Sequence, residues 1–126
     1  MKTIVSLILP IKTVSESNST IHWTKKSKLH KVQKGWIKAA FNEYKLKIPM
    51  PCHVILTRIA PRALDVGDNL PNSLKYIRDA LSELITGETR AGRADGDERI
   101  TWEYSQKKGA IREYGVKIEI KEIICL

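Results

Sequence analysis

Two short stretches near the end of the chain alternate strictly between apolar and polar residues. Ile100, Trp102 and Tyr104 are interleaved with Thr101, Glu103 and Ser105, and Val116, Ile118 and Ile120 with Lys117 and Glu119. A period of two predicts strands with one face on a core and the other in water. Residues 106–113 between them include Gly109, so the two strands are expected to form a hairpin. Two earlier segments also have strand character. Residues 3–9 are apolar on both faces, which predicts a central strand. Residues 52–59, after Ile48-Pro49-Met50-Pro51, predict another.

Two segments repeat at helical spacing. Over residues 27–44, Leu29, Val32, Trp36, Ala40 and Tyr44 form one stripe and predict a helix with that stripe, Trp36 included, in the core. Gly35 within it costs roughly 1 kcal/mol relative to alanine. The second helix follows Asp68, with Leu74, Ile77, Leu81, Leu84 and Ile85 as its apolar stripe. Asn69 or Asn72 is placed to cap it, and Pro71 suits a first turn. Lys75 falls at the edge of the stripe, about 100° from Leu74, facing the preceding acidic loop or solvent. Residues 86–96 contain three glycines together with Arg90 and Arg93 and predict a mobile loop. The order β-α-β-α-β-β predicts an α+β fold, a mixed sheet of about four strands with two helices on one face. No internal repeat is present, and 126 residues fit a single domain spanning 1–126.

Charge adds a direction to this scaffold. The chain carries a net +8, unevenly distributed. Residues 1–60 hold eleven lysines and arginines against Glu16 and Glu43, a net +9, so residues 61–126 sum to −1. Lys25, Lys26, Lys28, Lys31, Lys34 and Lys38 cluster in and just before the first helix. Such a region attracts polyanions by Coulomb steering and counterion release. Charge does not separate DNA from RNA or an anionic membrane. Trp23, in the same basic stretch but outside the helical periodicity, is placed either to stack on a base or sugar or to pin its loop. Cys52 and Cys125 form no CxxC pair, which predicts reduced, buried thiols of a cytosolic protein and no zinc site or disulfide framework. The apolar start of the chain ends at Pro10 and Lys12 with no small-residue cleavage site, so a strand is expected there rather than a signal peptide. No run approaches a membrane span.

The acidic half carries the candidate chemistry. Asp65 and Asp68 precede the second helix, Lys75 lies within it, and Asp95-Gly96-Asp97 follows one helix and one loop later. A phosphodiester resists hydrolysis because the attacking and leaving oxygens both carry or develop negative charge. Carboxylates that hold Mg²⁺ or Mn²⁺ answer that difficulty, since the ion activates water and stabilises the leaving oxygen. Lys75 adds a point charge for the scissile phosphate. Taken singly, each motif has a plainer explanation. Asp-x-x-Asp-Asn before a helix is capping and turn chemistry, Asp-Gly-Asp is a solvated turn, and the lysines form a solvated face.

In combination the chain resembles the RusA family of Holliday-junction resolving endonucleases, its phage-borne members in particular. The resemblance rests on Leu64-Asp65, Asp68-Asn69-Leu70, Lys75 and Arg78-Asp79-Ala80-Leu81. It continues in Asp95-Gly96-Asp97-Glu98-Arg99-Ile100-Thr101-Trp102, in Gln106-Lys107-Lys108-Gly109, and in Tyr114 to Ile120. The N-terminal strand, a Ser/Asn loop containing Asn18, and the basic helix from Trp23 are also similar. The resemblance implies paired, Mg²⁺-dependent incision of four-way DNA junctions by a homodimer in the bacterial cytoplasm, with no small-molecule cofactor and no membrane. A two-fold dimer would present two identical sites to a junction that needs two cuts. The family's three aspartates and lysine correspond to Asp65, Asp68, Asp95 (with Asp97 as the second choice) and Lys75. Asn18, Trp23 and Lys25 to Lys38 correspond to its DNA-binding region. The family has Asp-x-Asp-Asn where this chain inserts Val66-Gly67 between Asp65 and Asp68, and Gly67 could absorb the extra residue as a kink. Two other functions fit the same residues: a non-catalytic nucleic-acid-binding protein, and a metal-dependent nuclease acting on flaps or single strands.

Overall fold

The computed structural model describes residues 2–13, 23–43, 47–64, 67, 69–87 and 97–123, with the side chains of 23–26 outside that set. Four strands form one mixed sheet: β1 (Lys2–Leu9), β2 (Cys52–Ala60), β3 (Ile100–Lys108) and β4 (Gly115–Glu122). The helices are α1 (Trp23–Glu43), α2 (Asn69–Ser73) and α3 (Lys75–Thr86). This is the expected α+β fold with a mixed sheet. The second helix differs in being broken at Leu74 into a short α2 and a longer α3, and α1 starts four residues before the expected boundary.

The spatial order is β1-β4-β2-β3. β4 lies antiparallel between β1 and β2, whereas β3 pairs parallel with β2. Two expectations are corrected here. No hairpin joins β3 to β4, because β2 lies between them. The link instead crosses the carboxyl end of β2, where the Gly109 N–H donates to the Ala60 carbonyl at 2.8 Å. A Cβ at Gly109 would sit 2.9 Å from the Glu113 carbonyl oxygen, so the crossing is built on glycine. Nor is β1 central. It is an edge strand with Ile8 exposed, and its apolar residues on both faces mimic a buried strand.

β2 is the spine. Its β-branched Val54, Ile55 and Thr57 suit a strand flanked on both sides, and burial alternates along all nine residues. Cys52, Val54 and Leu56 point into the core with Ile118 and Ile120 of β4. On the same face lie Ile37, Ala40 and Phe41 of α1, Leu70 of α2, and Ile77 and Leu81 of α3. Leu74, at the break between α2 and α3, is fully buried with them. The opposite face mixes Ile55 and Ile59 with polar residues, among them His53, hydrogen-bonded to Thr101 at 2.6 Å. Cys52 is a free, buried thiol, and its burial pushes the thiol pKa up; Cys125 lies outside the described residues.

The core face of α1 is also corrected. Gln33, Ile37, Ala40 and Phe41 are buried, while Val32 and Trp36 are 57% and 42% exposed. Val32 and Trp36 give way to the next residues in sequence, Gln33 and Ile37, a turn of 100° about the axis, while Ala40 is buried as expected and Tyr44 lies outside the described residues. The buried stripe brings Ile37, Ala40 and Phe41 into one cluster with the sheet and α3. Among the described residues, no helix is long and apolar enough to cross a membrane.

Candidate functional site

The loop leaving β2 is held by two side chains. Gln106 of β3 completes a backbone-like pair with Leu64, donating Nε2 to its carbonyl at 2.7 Å and accepting its N–H at 2.9 Å. Arg58, buried on the core face of β2, donates Nη1 to the Arg62 carbonyl at 2.7 Å. Burial lowers the Arg58 pKa, yet a guanidinium stays charged under any ordinary condition. These bonds fix residues 62–64 against the sheet just before Asp65. Arg58 did not stand out in the sequence, and Gln106 did so only within the Gln106-Lys107-Lys108-Gly109 stretch, because their contact lies in a cross-strand register that only the fold reveals.

Beyond that clamp opens a cleft of about 370 Å³ lined by Gly67, Pro71, Asn72, Lys75, Arg78, Asp79 and Tyr104. Lys75 is the first residue of α3 and is exposed. One turn on, Arg78 donates Nη1 to the Tyr104 hydroxyl at 2.7 Å, and its guanidinium lies 4.9 Å from the Trp102 ring centre. The guanidinium is thereby held by the sheet rather than left to sample solvent. α3 has Leu74 at its N-cap with no side-chain cap bond, so neither Asn69 nor Asn72 caps that helix; Asn69 instead begins α2. The cleft lies beside the loop that leaves β2, within a β2–helix–β3 parallel unit. Ligands in such sheets bind outside the carboxyl ends of strands.

α1 borders this cleft through α3. The His30 ring stacks on Tyr76 with centres 3.3 Å apart, and the Lys75 ammonium lies 5.8 Å from the same Tyr76 ring. Lys34 pairs with Glu83 of α3 at 3.7 Å, so it serves the helix–helix contact. Lys28, Lys31 and Lys38 are exposed and form no ion pair among the described residues.

Asp97 sits elsewhere. Its Oδ1 accepts the Arg99 backbone N–H at 2.9 Å and Nε at 3.0 Å, and its Oδ2 accepts Nη2 at 2.7 Å. The Arg99 side-chain hydrogen bonds, followed by the backbone one, hold the Asp97 carboxyl at a pKa of about 2. This clamp closes the turn into the amino end of β3, and Asp97 does not line the cleft. Both carboxylate oxygens are engaged by Arg99, so a cation would share Asp97 with a guanidinium. Asp65, Asp68 and Asp95 lie outside the described residues, as do Asn18 and the side chains of Trp23, Lys25 and Lys26. Among the described residues no three carboxylate, imidazole or thiol groups come together, and Asp79 is the one carboxylate among the lining residues. A hard divalent cation wants several oxygen ligands. The described wall offers two cations, Lys75 and Arg78, and a single carboxylate, Asp79, fewer oxygen ligands than such an ion takes.

No protein-family model matches the chain, and no curated protein matches it significantly.

Proposed function

We propose that the protein is a Mg²⁺-dependent endodeoxyribonuclease of the RusA type, acting as a homodimer on branched DNA and resolving four-way junctions by paired phosphodiester hydrolysis. One observation supports it above the others: α1, which exposes Lys28, Lys31 and Lys38, packs through the stacked His30 and Tyr76 on α3, whose Lys75 and Arg78 line the cleft. A backbone drawn in by Lys28, Lys31 and Lys38 is thus carried toward two further cations beside the loop bearing Asp65 and Asp68. Phosphate contacts of this kind position a nucleic acid without reading its sequence, as a structure-selective enzyme requires.

Within the cleft, Lys75 offers a mobile point charge and Arg78 a fixed planar one, two complementary ways to hold a phosphate. Asp65, Asp68 and Asp95 are assigned to the cation from sequence, with Mn²⁺ able to replace Mg²⁺. The ion, when bound, supplies charge stabilisation for the departing oxygen and an activated water. Asp97 is left out of this assignment, since it pairs with Arg99 and does not line the cleft.

A labelled synthetic four-way junction tests the proposal. Asp68→Asn is expected to bind the junction as tightly as the unmodified protein and to lose cleavage by at least about a hundredfold, as expected when a charge-stabilising group is removed. Lys75→Ala is expected to lose cleavage with at most a small loss of binding. An Asp68→Asn protein that cuts at the normal rate would remove the acidic loop from the chemistry. An unmodified protein that binds junctions and never cuts them, with either metal, would leave a non-catalytic binding protein.

A further inference from the structure

One end of the sheet is strongly basic, and none of its cations lines the cleft. β1, β2 and β3 all run opposite to β4, so their carboxyl ends and the start of β4 share that end. Lys12 follows β1, Arg62 follows β2, Lys107 and Lys108 close β3, and Arg112 lies on the link into β4. All are exposed, and none forms an ion pair among the described residues. The carboxylate on the link, Glu113, turns back on the backbone, its Oε1 accepting the Ala110 N–H at 3.2 Å. Lys12 places its ammonium 4.6 Å from the Tyr114 ring centre. Because Gln106 holds Leu64, Lys107 and Lys108 stand about 3.3 and 6.6 Å further along β3, beside the loop that leads to Asp65.

The backbone of the link singles out Arg112. Residues 110–113 form a turn closed by the Glu113 N–H on the Ala110 carbonyl at 3.0 Å, and Arg112, third in that turn, has a φ of 63°. Turns with positive φ at this position take glycine or asparagine, because a Cβ is crowded there. Arginine is strained in that place, and among the described residues its side chain makes no hydrogen bond or ion pair. Strain without an internal contact points to a contact outside the fold. The charge selects its kind. A second copy would oppose cation with cation, whereas a polyanion is attracted. Ile111 and Ile8 are the large apolar side chains exposed near this end, isolated residues rather than the broad apolar face that enters a membrane surface. The Tyr114 ring is half-buried beside Lys12, so it is not open for base stacking. What remains is contact with phosphates, which a DNA duplex presents along both strands.

We propose that Lys12, Arg62, Lys107, Lys108 and Arg112 form a basic rim that holds the backbone of duplex DNA at the end of the sheet. From β1 to β3 that end spans about 14 Å, enough for its two sides to reach different phosphates. This inference rests on the nucleic-acid reading above and adds a duplex contact that is independent of the α1 lysines and of the Lys75–Arg78 cleft.

Fluorescence anisotropy of a labelled duplex and a four-way junction across a salt series, without divalent metal, tests the rim independently of cleavage. Arg112→Gly is expected to weaken duplex binding by about three- to tenfold at 0.1 M salt and to reduce the magnitude of the salt slope by about 0.9. Its thermal midpoint should not fall, since glycine suits the turn. Arg112→Lys keeps the charge and should stay within about threefold of the unmodified protein. The triple variant Lys107→Gln/Lys108→Gln/Arg112→Gly should lower the slope further, by about 2.7 in all. A triple variant with unchanged affinity and slope, alongside a Lys31→Ala variant whose slope does fall, would overturn the rim while leaving the nucleic-acid reading intact. Weaker binding with an unchanged slope and a lower thermal midpoint would assign these residues to the fold and overturn it too. Loss of binding to phosphatidylglycerol vesicles, with duplex affinity unchanged, would overturn it in favour of a membrane surface. An unmodified protein that binds neither DNA at low salt would overturn the underlying nucleic-acid reading as well.

Discussion

Two aspartates flank one glycine at Asp95 and Asp97, the resemblance ranks Asp95 first, and position 97 acquires a role of its own. Arg99 takes both oxygens of Asp97, and the cost of competing for a carboxylate already paired with guanidinium argues against metal ligation there. The clamp has a pH signature. A carboxyl held at about 2 in the folded state, against about 3.9 in an unfolded chain, favours folding above pH 4. That contribution fades as pH falls toward 2, because the unfolded chain takes up the proton first. Asp97→Asn is therefore expected to be less stable than the unmodified protein at neutral pH, with the difference closing between about pH 4 and pH 2. Urea midpoints at pH 6 and pH 2.5 check this; a difference of the same size at both values would mean that the ion pair contributes nothing. Lys75 behaves as its position in the sequence suggested, exposed and beside the loop of Asp65 and Asp68, now with Arg78 as a second cation one turn away.

Helices and strands were legible in the sequence to within a few residues, but their partners and rotations were less so. α1 carries two apolar stripes one residue apart in phase, and periodicity alone cannot rank them. Gln33 misleads further, since it is a polar residue in the buried stripe, with its Oε1 sealed from solvent and unpartnered. Rotation of α1 makes a direct prediction. Ile37→Ala should cost about 2–5 kcal/mol, as for a buried isoleucine, whereas Val32→Ala should fall within about 0.5 kcal/mol as a surface change. Denaturant titration of both variants distinguishes the phases; the reverse order would restore the stripe through Val32 and Trp36 to the core. Strand order was less accessible still. The alternation in β3 and β4 specified faces correctly, but pairing is a long-range property. A short glycine-containing link reads as a hairpin whether it joins neighbours or, as here, crosses the end of a third strand.

For the whole molecule, the partition of charge in the sequence becomes a spatial arrangement. The basic half supplies β1, α1 and the central strand β2, and the acidic half supplies the cleft wall and the remaining strands. Much of the lysine-bearing side was legible, because exposed lysines recur on a helix whatever its rotation. What was not legible was the support behind it: the Gln106 and Arg58 clamp on the loop before Asp65, and the exposure of Trp36. Gln106→Ala is expected to lower cleavage more than junction binding, since it frees that loop and leaves the α1 lysines in place; equal loss of both would assign Gln106 to stability alone. The most direct measurement is incision of a four-way junction, a flap and a duplex of matched sequence by the unmodified protein, side by side in Mg²⁺. A junction-resolving nuclease cuts the four-way substrate in symmetrically paired strands and leaves the duplex intact. Equal cutting of all three, or no cutting of any with either Mg²⁺ or Mn²⁺, would contradict it.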